Sequence, residues 1–527
     1  MRTGSAMVDD DHRGALAHPP PAFLNLANAI MSLHRSASEP VPAVLPPERV
    51  FCARSPGAGY ATAAPEPAPE LPGGTAETPA LITLRALLRD AGLDASRYGT
   101  AAWNPLGAII RAGSRVLLKP NWVLHQNQSG HGMECLVTHT SVVEAAAVYA
   151  LLAGPGQVVI GDAPVQGCDF EALAAACGFA EMLDRLAPLA ARQGTALSLV
   201  DFRRTILDGG RIEHRSAAVH RGDDDYVLFD MADESALEPV TARGTEFRVT
   251  MYDPRALART HAPGRHQYLI AREAVEADVV INLPKLKTHK KAGVTGALKN
   301  LVGINGHKEY LPHHRKGGAD RGGDCYPGGS PLKATAEHLL DVANASSSRR
   351  VRRVLPRVAS LAARLGRLWG HDANLEGSWH GNDTVWRMCL DLQRVLAYGR
   401  PDGTLAGSPQ RAVLTLTDAI VAGEGNGPLS PLPAPLGMLT LGTSPAALEW
   451  VHALLMGFDP RRIPLIHNAF APHPRPLARF GPEAVRVMMD GREIGPAANA
   501  AAYGRAFVPP DGWRGACEAA GDAEEAA

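Results

Sequence analysis

Between Ala277 and Gly306 the sequence ADVVINLPKLKTHKKAGVTGALKNLVGING sets Lys285, Lys287, His289, Lys290, Lys291 and Lys299 within a short length of chain. Gly293, Gly296 and Gly303 are interleaved with them. Ammonium groups neutralise a phosphate or carboxylate, and glycines let backbone N–H groups approach it. A single lysine after a strand is ordinary solvated surface. Lys285, Lys287, His289 and Lys299 together read as an anion site, whereas Lys290 and Lys291 read as surface. His289 has an imidazole's neutral-range chemistry and is the candidate proton carrier. Lys287 and Asp418 are assigned with it as catalytic groups.

Other candidates sit where apolar runs end. SRVLLKPNW ends at Lys119 and Asn121, QVVIGD at Asp162, ADVVINLPK at Lys285 and RAVLTLTD at Asp418. In an open parallel sheet, ligands bind beyond the carboxyl ends of the strands, so these residues should converge. Lys119, Asn121, Lys285, Lys299, Asn300 and Asn426 are the substrate-binding candidates. Asp162, Asp418 and Glu424 could hold a hard divalent ion, Mg²⁺ or Mn²⁺. The competing reading pairs each carboxylate with one of the lysines and needs no metal. His307, His313 and His314 lie in a polar, glycine-rich stretch that could close over the site. Asn382 and Asp383 open a helical segment; Asn382 is read as a cap and Arg387 as an anion clamp.

The elements that must position these groups follow a βαβ rhythm. LITLRALLRDAGL, from about residue 80, has helical periodicity, as do HTSVVEAAAVYALLAG and DFEALAAACGFAEMLDRL between the apolar runs. Strand–helix alternation at this spacing predicts an α/β fold with an open, mostly parallel sheet and helices on both faces. Residues 1–80 are rich in Ala, Pro and Gly and read as a flexible arm with one short helix at Ala22–Leu33. Residues 81–500 form a single α/β domain in which 305–400 is a helical and loop insertion or lid. Residues 501–527 read as a solvated tail. GNDTVWRMCLDLQRVLAYG is an amphipathic helix, and TDAIVAGEGNGP a strand ending at Asp418 followed by a loop.

Lys plus Arg (53) nearly cancels Asp plus Glu (54), so a general nucleic-acid or membrane-surface role is disfavoured and any cationic site is local. The seven cysteines contain no C-x-x-C pair, so no iron–sulfur cluster is expected; reduced thiols suggest a cytoplasmic protein. No apolar run reaches about 18 residues, and no secretion signal opens the chain. There is no P-loop, no G-x-S-x-G elbow and no G-x-G-x-x-G after a strand, so neither NAD nor FAD is expected.

The same stretches carry a family resemblance. VLLKPNW, THTSVVEAA, VVIGDAP, ADVVINLPKLKTHKKAGVTGALKNLVGI, TDAIVAGEGNGP and LEWVHALLMGFDP, in that order, resemble the domain-of-unknown-function family 362. The resemblance covers about residues 112–470, and the GSWHGNDTVW segment resembles its longer members. It implies a shared site at Lys119, Asp162, Lys285, Lys287, His289, Lys299, Asn300, Asp418, Glu424 and Asn426. Some members carry ferredoxin-like modules; this chain lacks the cysteines for one. Where the family has Ser/Thr-Asp-Pro before the last core helix and an Asp within it, this chain has Thr443-Ser444-Pro445 and Glu449.

The expectation is an enzyme that binds an anionic, phosphorylated or carboxylated small molecule. Group transfer, hydrolysis and proton abstraction all fit. A non-catalytic accessory protein of a biosynthetic pathway is the alternative, and nucleic-acid binding through the basic segment 349–367 a further one. Oligomeric state is not encoded legibly.

Overall fold

The structure is a computed structural model. It describes residues 45–57, 59–60, 68–73, 75, 77–207, 217–249, 253–368 and 375–519. The helix expected at Ala22–Leu33 lies outside the described residues.

Eleven strands build the main sheet: β1 (Arg49–Arg54), β2 (Arg115–Pro120), β3 (Gln157–Asp162), β4 (Ala196–Asp201), β5 (Val279–Leu283), β6 (Lys285–His289), β7 (Gly293–Thr295), β8 (Ala412–Asn426), β9 (Ser430–Gly442), β10 (Arg486–Met489) and β11 (Arg492–Pro496). Their order is β11-β10-β1-β9-β8-β5-β2-β3-β4. The run β8-β5-β2-β3-β4 is parallel, as the βαβ rhythm demands. β8 and β9 form a long antiparallel hairpin, so the sheet is mixed but mostly parallel. β6 continues β5 past Pro284 and stays parallel to β8, while β7 folds back on it.

Two layers of helix cover the sheet. Relevant to the site are α1 (Pro79–Asp90), α2 (Thr140–Leu152), α3 (Phe179–Gln193), α4 (Pro331–Ala345), α5 (Arg349–Leu368), α6 (Val385–Tyr398) and α7 (Pro445–Leu455). The strands are apolar on both faces, as strands sandwiched between helices must be. Val116, Leu118, Val158, Ile160, Val279 and Ile281 pack with α1, α2 and α3. Leu117, Val159 and Val280 alternate to the other face and pack with α6 and α7. α1 starts where Thr78 accepts a hydrogen bond from the Leu81 N–H and Pro79 presets the first helical φ.

Three expected boundaries move. The arm does not extend to residue 80: β1 inserts between β9 and β10, because Val50, Phe51, Cys52 and Ala53 supply a fully buried apolar strand. The tail is not solvated up to residue 519: Phe507, Trp513 and Cys517 are buried, and Trp513 donates to the Lys290 carbonyl at 2.8 Å. The strand through Asp418 does not stop there. It runs to Asn426, with a register shift between Ala419 and Val421. Within the insertion, α6 belongs to the core, since Met388, Cys389, Leu392 and Val395 are fully buried.

No helix among the described residues is long and apolar enough to cross a membrane.

Candidate functional site

The alternation of KLKTH sets the site. In β6, Lys285, Lys287 and His289 fall on one face by the period-two rule, while Leu286 joins the core on the other. The β6–β8 ladder then places Lys285 opposite Asp418 and Lys287 opposite Gly423.

The first result is a buried ion pair. Lys285 Nζ lies 2.6 Å from Asp418 Oδ2, with both side chains fully buried. Asp418 also accepts the Tyr60 hydroxyl at 2.6 Å and the His139 N–H at 2.9 Å. Lys285 donates to the Tyr60 oxygen at 2.7 Å and to the Val421 carbonyl at 3.1 Å. The Tyr60 ring stacks on His139, with centroids 3.7 Å apart and 6° between planes. Burial lowers the Lys285 pKa, opposed by Asp418. It lowers His139 to about 4, which keeps that imidazole neutral.

A second buried pair occupies the neighbouring strands. Lys119 Nζ lies 2.7 Å from Asp162 Oδ1. Asp162 is held by the Trp122 and Ala163 N–H groups at 2.6 and 2.8 Å. Burial drives Lys119 down and Asp162 up, and the pairing opposes both. Asn300 donates to the Lys119 carbonyl at 2.9 Å and to Asn282 Oδ1 at 2.7 Å, tying the loop after β7 to β2 and β5. Gly303 is obligatory here, because a Cβ on it would overlap Asp162 Oδ1.

Three further buried lysines differ from these two. Among the described residues, no carboxylate pairs with Lys287, Lys299 or Lys308. Lys287, fully buried, donates to the Leu136 carbonyl. Burial, then the charges of Lys285 and Lys299, lower its pKa to about 7. Lys308 donates to the Ala163 carbonyl at 2.8 Å, and burial lowers it to about 8. Lys299 is 8 % exposed, and among the described residues its ammonium has no hydrogen-bond or ion-pair partner. Burial lowers its pKa also.

His289 completes this group in an unexpected protonation state. Its Nδ1 accepts the N–H groups of Lys291 and Ala292 at 3.0 and 3.2 Å, so the ring proton sits on Nε2. Burial, then the charge of Lys299, holds the pKa well below the usual histidine range. His289 is thus a neutral N–H donor with no partner for Nε2 among the described residues. That geometry suits a fixed hydrogen bond to an anion better than the proton transfer expected of it.

Several predicted residues lie elsewhere. The register shift in β8 carries Glu424 and Asn426 past the pair. Glu424 meets Arg505 at 3.3 Å and the Val508 N–H at 3.1 Å; Asn426 exchanges hydrogen bonds with Asp511. Both fasten the C-terminal segment. Arg387 is spent on Asp383 at 3.0 Å, on the Ala236 carbonyl at 2.8 Å and on the Trp386 ring. It is no anion clamp. Asn382 caps α6 through the Thr384 and Val385 N–H groups, as read. Asn121 is half-buried, and its Oδ1 has no partner among the described residues.

The three carboxylates proposed for a metal do not converge. Asp162, Asp418 and Glu424 are each engaged by a different cation, because buried carboxylates take the nearest ammonium or guanidinium as counter-charge. Ser444, where the family has Asp, is the N-cap of α7, accepting from the Ala447 N–H at 3.3 Å. Glu449 accepts from the Leu298 N–H at 2.7 Å, fixing the loop that carries Lys299. Lys291 is half-buried rather than fully at the surface, and desolvation lowers its pKa.

Sequence reasoning missed Tyr60, His139 and Lys308. His139 lies inside the quoted THTSVVEAA stretch and Lys308 two residues beyond the glycine that ends the lysine-rich one. Tyr60 lies in an Ala/Pro-rich segment with no periodicity to mark it.

Comparison with known proteins agrees with the motif set. The family model described as "Domain of unknown function (DUF362)" matches residues 116–208 and 228–453. The thylakoid-associated protein sll1697 of Synechocystis sp. is 26% identical over 359 residues, covering 68% of each chain. No solved structure matches. The chain belongs to the DUF362 family, a domain of unknown function.

Proposed function

We propose that this protein is an enzyme acting on an anionic small molecule, phosphorylated or carboxylated, bound at Lys287, Lys299, Lys308 and His289. One observation carries the reading. Lys119 and Lys285 already have buried carboxylate partners, whereas Lys287, Lys299 and Lys308 are buried without one. An ammonium removed from water without a counter-charge is costly, and a ligand anion supplies the missing charge. The neutral His289 adds an N–H donor, and Lys287, with a pKa of about 7, can give or take a proton near neutrality. The Lys285–Asp418–Tyr60 network then positions β6 and takes no part in binding directly.

Equilibrium dialysis with inorganic phosphate, pyrophosphate and a small dicarboxylate tests the reading. Wild-type protein is expected to bind one of them, and Lys299→Met at least about tenfold more weakly, the effect of losing one charge-assisted contact. No binding by the wild type, or equal binding by the variant, would remove the reading. Native mass spectrometry of freshly purified protein separates the enzyme from the accessory alternative: a co-purifying anion that is retained without turnover supports the latter. We also propose a cytoplasmic location. The unpaired thiols of Cys52, Cys135, Cys168, Cys177, Cys325, Cys389 and Cys517 fit a reducing compartment, and cell fractionation tests it.

A further inference from the structure

Apart from these lysines, three side chains that no sequence motif groups together meet inside the segment 305–400. His314, Cys325 and Glu337 are all buried, and one ligand atom from each lies within 4.8 Å of the others. His314 comes from a short strand, His314–Arg315, paired with Phe247–Arg248. Cys325 ends a glycine-rich loop, and Glu337 projects from α4.

The surroundings hold these groups in place. The Glu376 N–H donates to Cys325 Sγ at 3.2 Å, which fixes the direction of the sulfur. The Gly317 N–H reaches both Glu337 oxygens, at 3.2 and 3.0 Å, and so fixes the carboxylate plane. The Cys325 N–H donates to the Gly317 carbonyl at 3.0 Å, and the Gly377 N–H to the Cys325 carbonyl at 2.8 Å. Next to Cys325, Asp324 is anchored by Thr384 at 2.6 Å and by the Arg315 N–H. One atom is left over: His314 Nδ1 is buried with no hydrogen-bond partner. A buried ring nitrogen without a partner is rare and calls for an explanation such as an ion.

We propose that His314, Cys325 and Glu337 form a binding site for a borderline divalent metal ion of the Zn²⁺ class. Nitrogen, sulfur and oxygen donors in one set suit Zn²⁺ or Co²⁺ and are a poor match for Mg²⁺ or Ca²⁺, which take oxygen ligands. Thiolate and carboxylate together balance the ion's two charges. Three protein ligands leave a fourth tetrahedral position for water or a small ligand, the pattern of a reactive rather than purely structural zinc site. The site is independent of the anion reading, since it shares no residue with Lys287, Lys299, Lys308 or His289.

The test uses the full chain, stripped with a chelator and titrated with Co²⁺ and then Zn²⁺. One Co²⁺ per chain should give a sulfur-to-cobalt charge-transfer band and the strong visible bands of a tetrahedral ion, and Zn²⁺ should displace it. Cys325→Ser should abolish the charge-transfer band. Glu337→Gln keeps the side-chain shape and should weaken binding at least about tenfold, the scale on which even outer-sphere partners act. The melting temperature of the stripped Glu337→Gln protein controls for folding, and at one Zn²⁺ concentration the wild type should gain more in melting temperature than the variant. Absence of a cobalt spectrum in the wild type, or the same band and affinity in Cys325→Ser, overturns the proposal.

Discussion

Tyr60 donates its hydroxyl to Asp418 at 2.6 Å across 358 positions of chain. Lys285 donates to the same hydroxyl at 2.7 Å, so one phenol bridges both members of the central ion pair. A residue from the segment that reads as a flexible arm thereby closes the network at the middle of the sheet.

The ion pair predicts its own thermodynamics. Asp418→Asn leaves Lys285 buried without compensation and should cost roughly 3–5 kcal/mol, the usual penalty for half of a buried pair. Adding Lys285→Met to that variant should restore much of the loss. Tyr60→Phe should cost about 1–3 kcal/mol, as it strips one hydrogen bond from each partner. Chemical denaturation of the wild type, these three variants and Lys285→Met alone measures all the effects, and additive losses in the double variant would refute the coupling.

Lys287 gives a pH-dependent prediction. Its folded pKa, about 7, is below the 10.5 of a free lysine. Between these values the unfolded chain binds the extra proton, so stability rises with pH across that window; below about pH 7 the penalty is fully present. Lys287→Met should therefore stabilise the protein at pH 6, by up to about 4 kcal/mol, and the gain should shrink toward pH 10. Melting curves at pH 6, 8 and 10 follow it. A gain that is constant with pH would mean that the amine is not the cause.

The same protonation governs binding. An anion needs charged Lys287 and Lys308, whose pKa values are about 7 and about 8. Phosphate affinity should fall as pH rises through this range, and binding at pH 8 should take up protons, a quantity calorimetry in buffers of different ionisation heat reads directly.

Gly303→Ala places a methyl group on Asp162 Oδ1 and beside Lys119 Nζ. Overpacking against a buried ion pair should destabilise by about 3 kcal/mol or more, beyond a helix-propensity effect. Wild-type stability in this variant would show that the loop can retreat.

Glu424 and Asn426 offer a contrast. Glu424→Gln with Asn426→Ala should leave anion binding within about twofold of wild type while loosening the C-terminal segment, as surface-level losses of about 1 kcal/mol per contact allow. Limited trypsin digestion at Arg505 and Arg514 should accelerate. A loss of binding without faster cleavage would return these two residues to the site.

What the sequence determined by itself was the repeating unit and its chemistry. Apolar runs ending in Lys119, Asp162, Lys285 and Asp418, separated by helical stretches, made a parallel α/β sheet with polar carboxyl ends the consistent outcome, because strand burial and the strand-end rule are local. The KLKTH alternation likewise placed three functional groups on one face. Only the tertiary structure decided which charges were already satisfied. Asp162 and Asp418 are equivalent on paper to Glu424, yet a bulge between Ala419 and Val421 sends Glu424 to Arg505. Lys119 and Lys299 are likewise equivalent on paper, yet only Lys119 meets a carboxylate. Tyr60 and His139 were illegible because their partners lie far along the chain, and His314, Cys325 and Glu337, though near in sequence, come from a strand, a loop and a helix with no shared periodicity. Pairing across such distances is set by the packing of whole elements, and no local pattern records it.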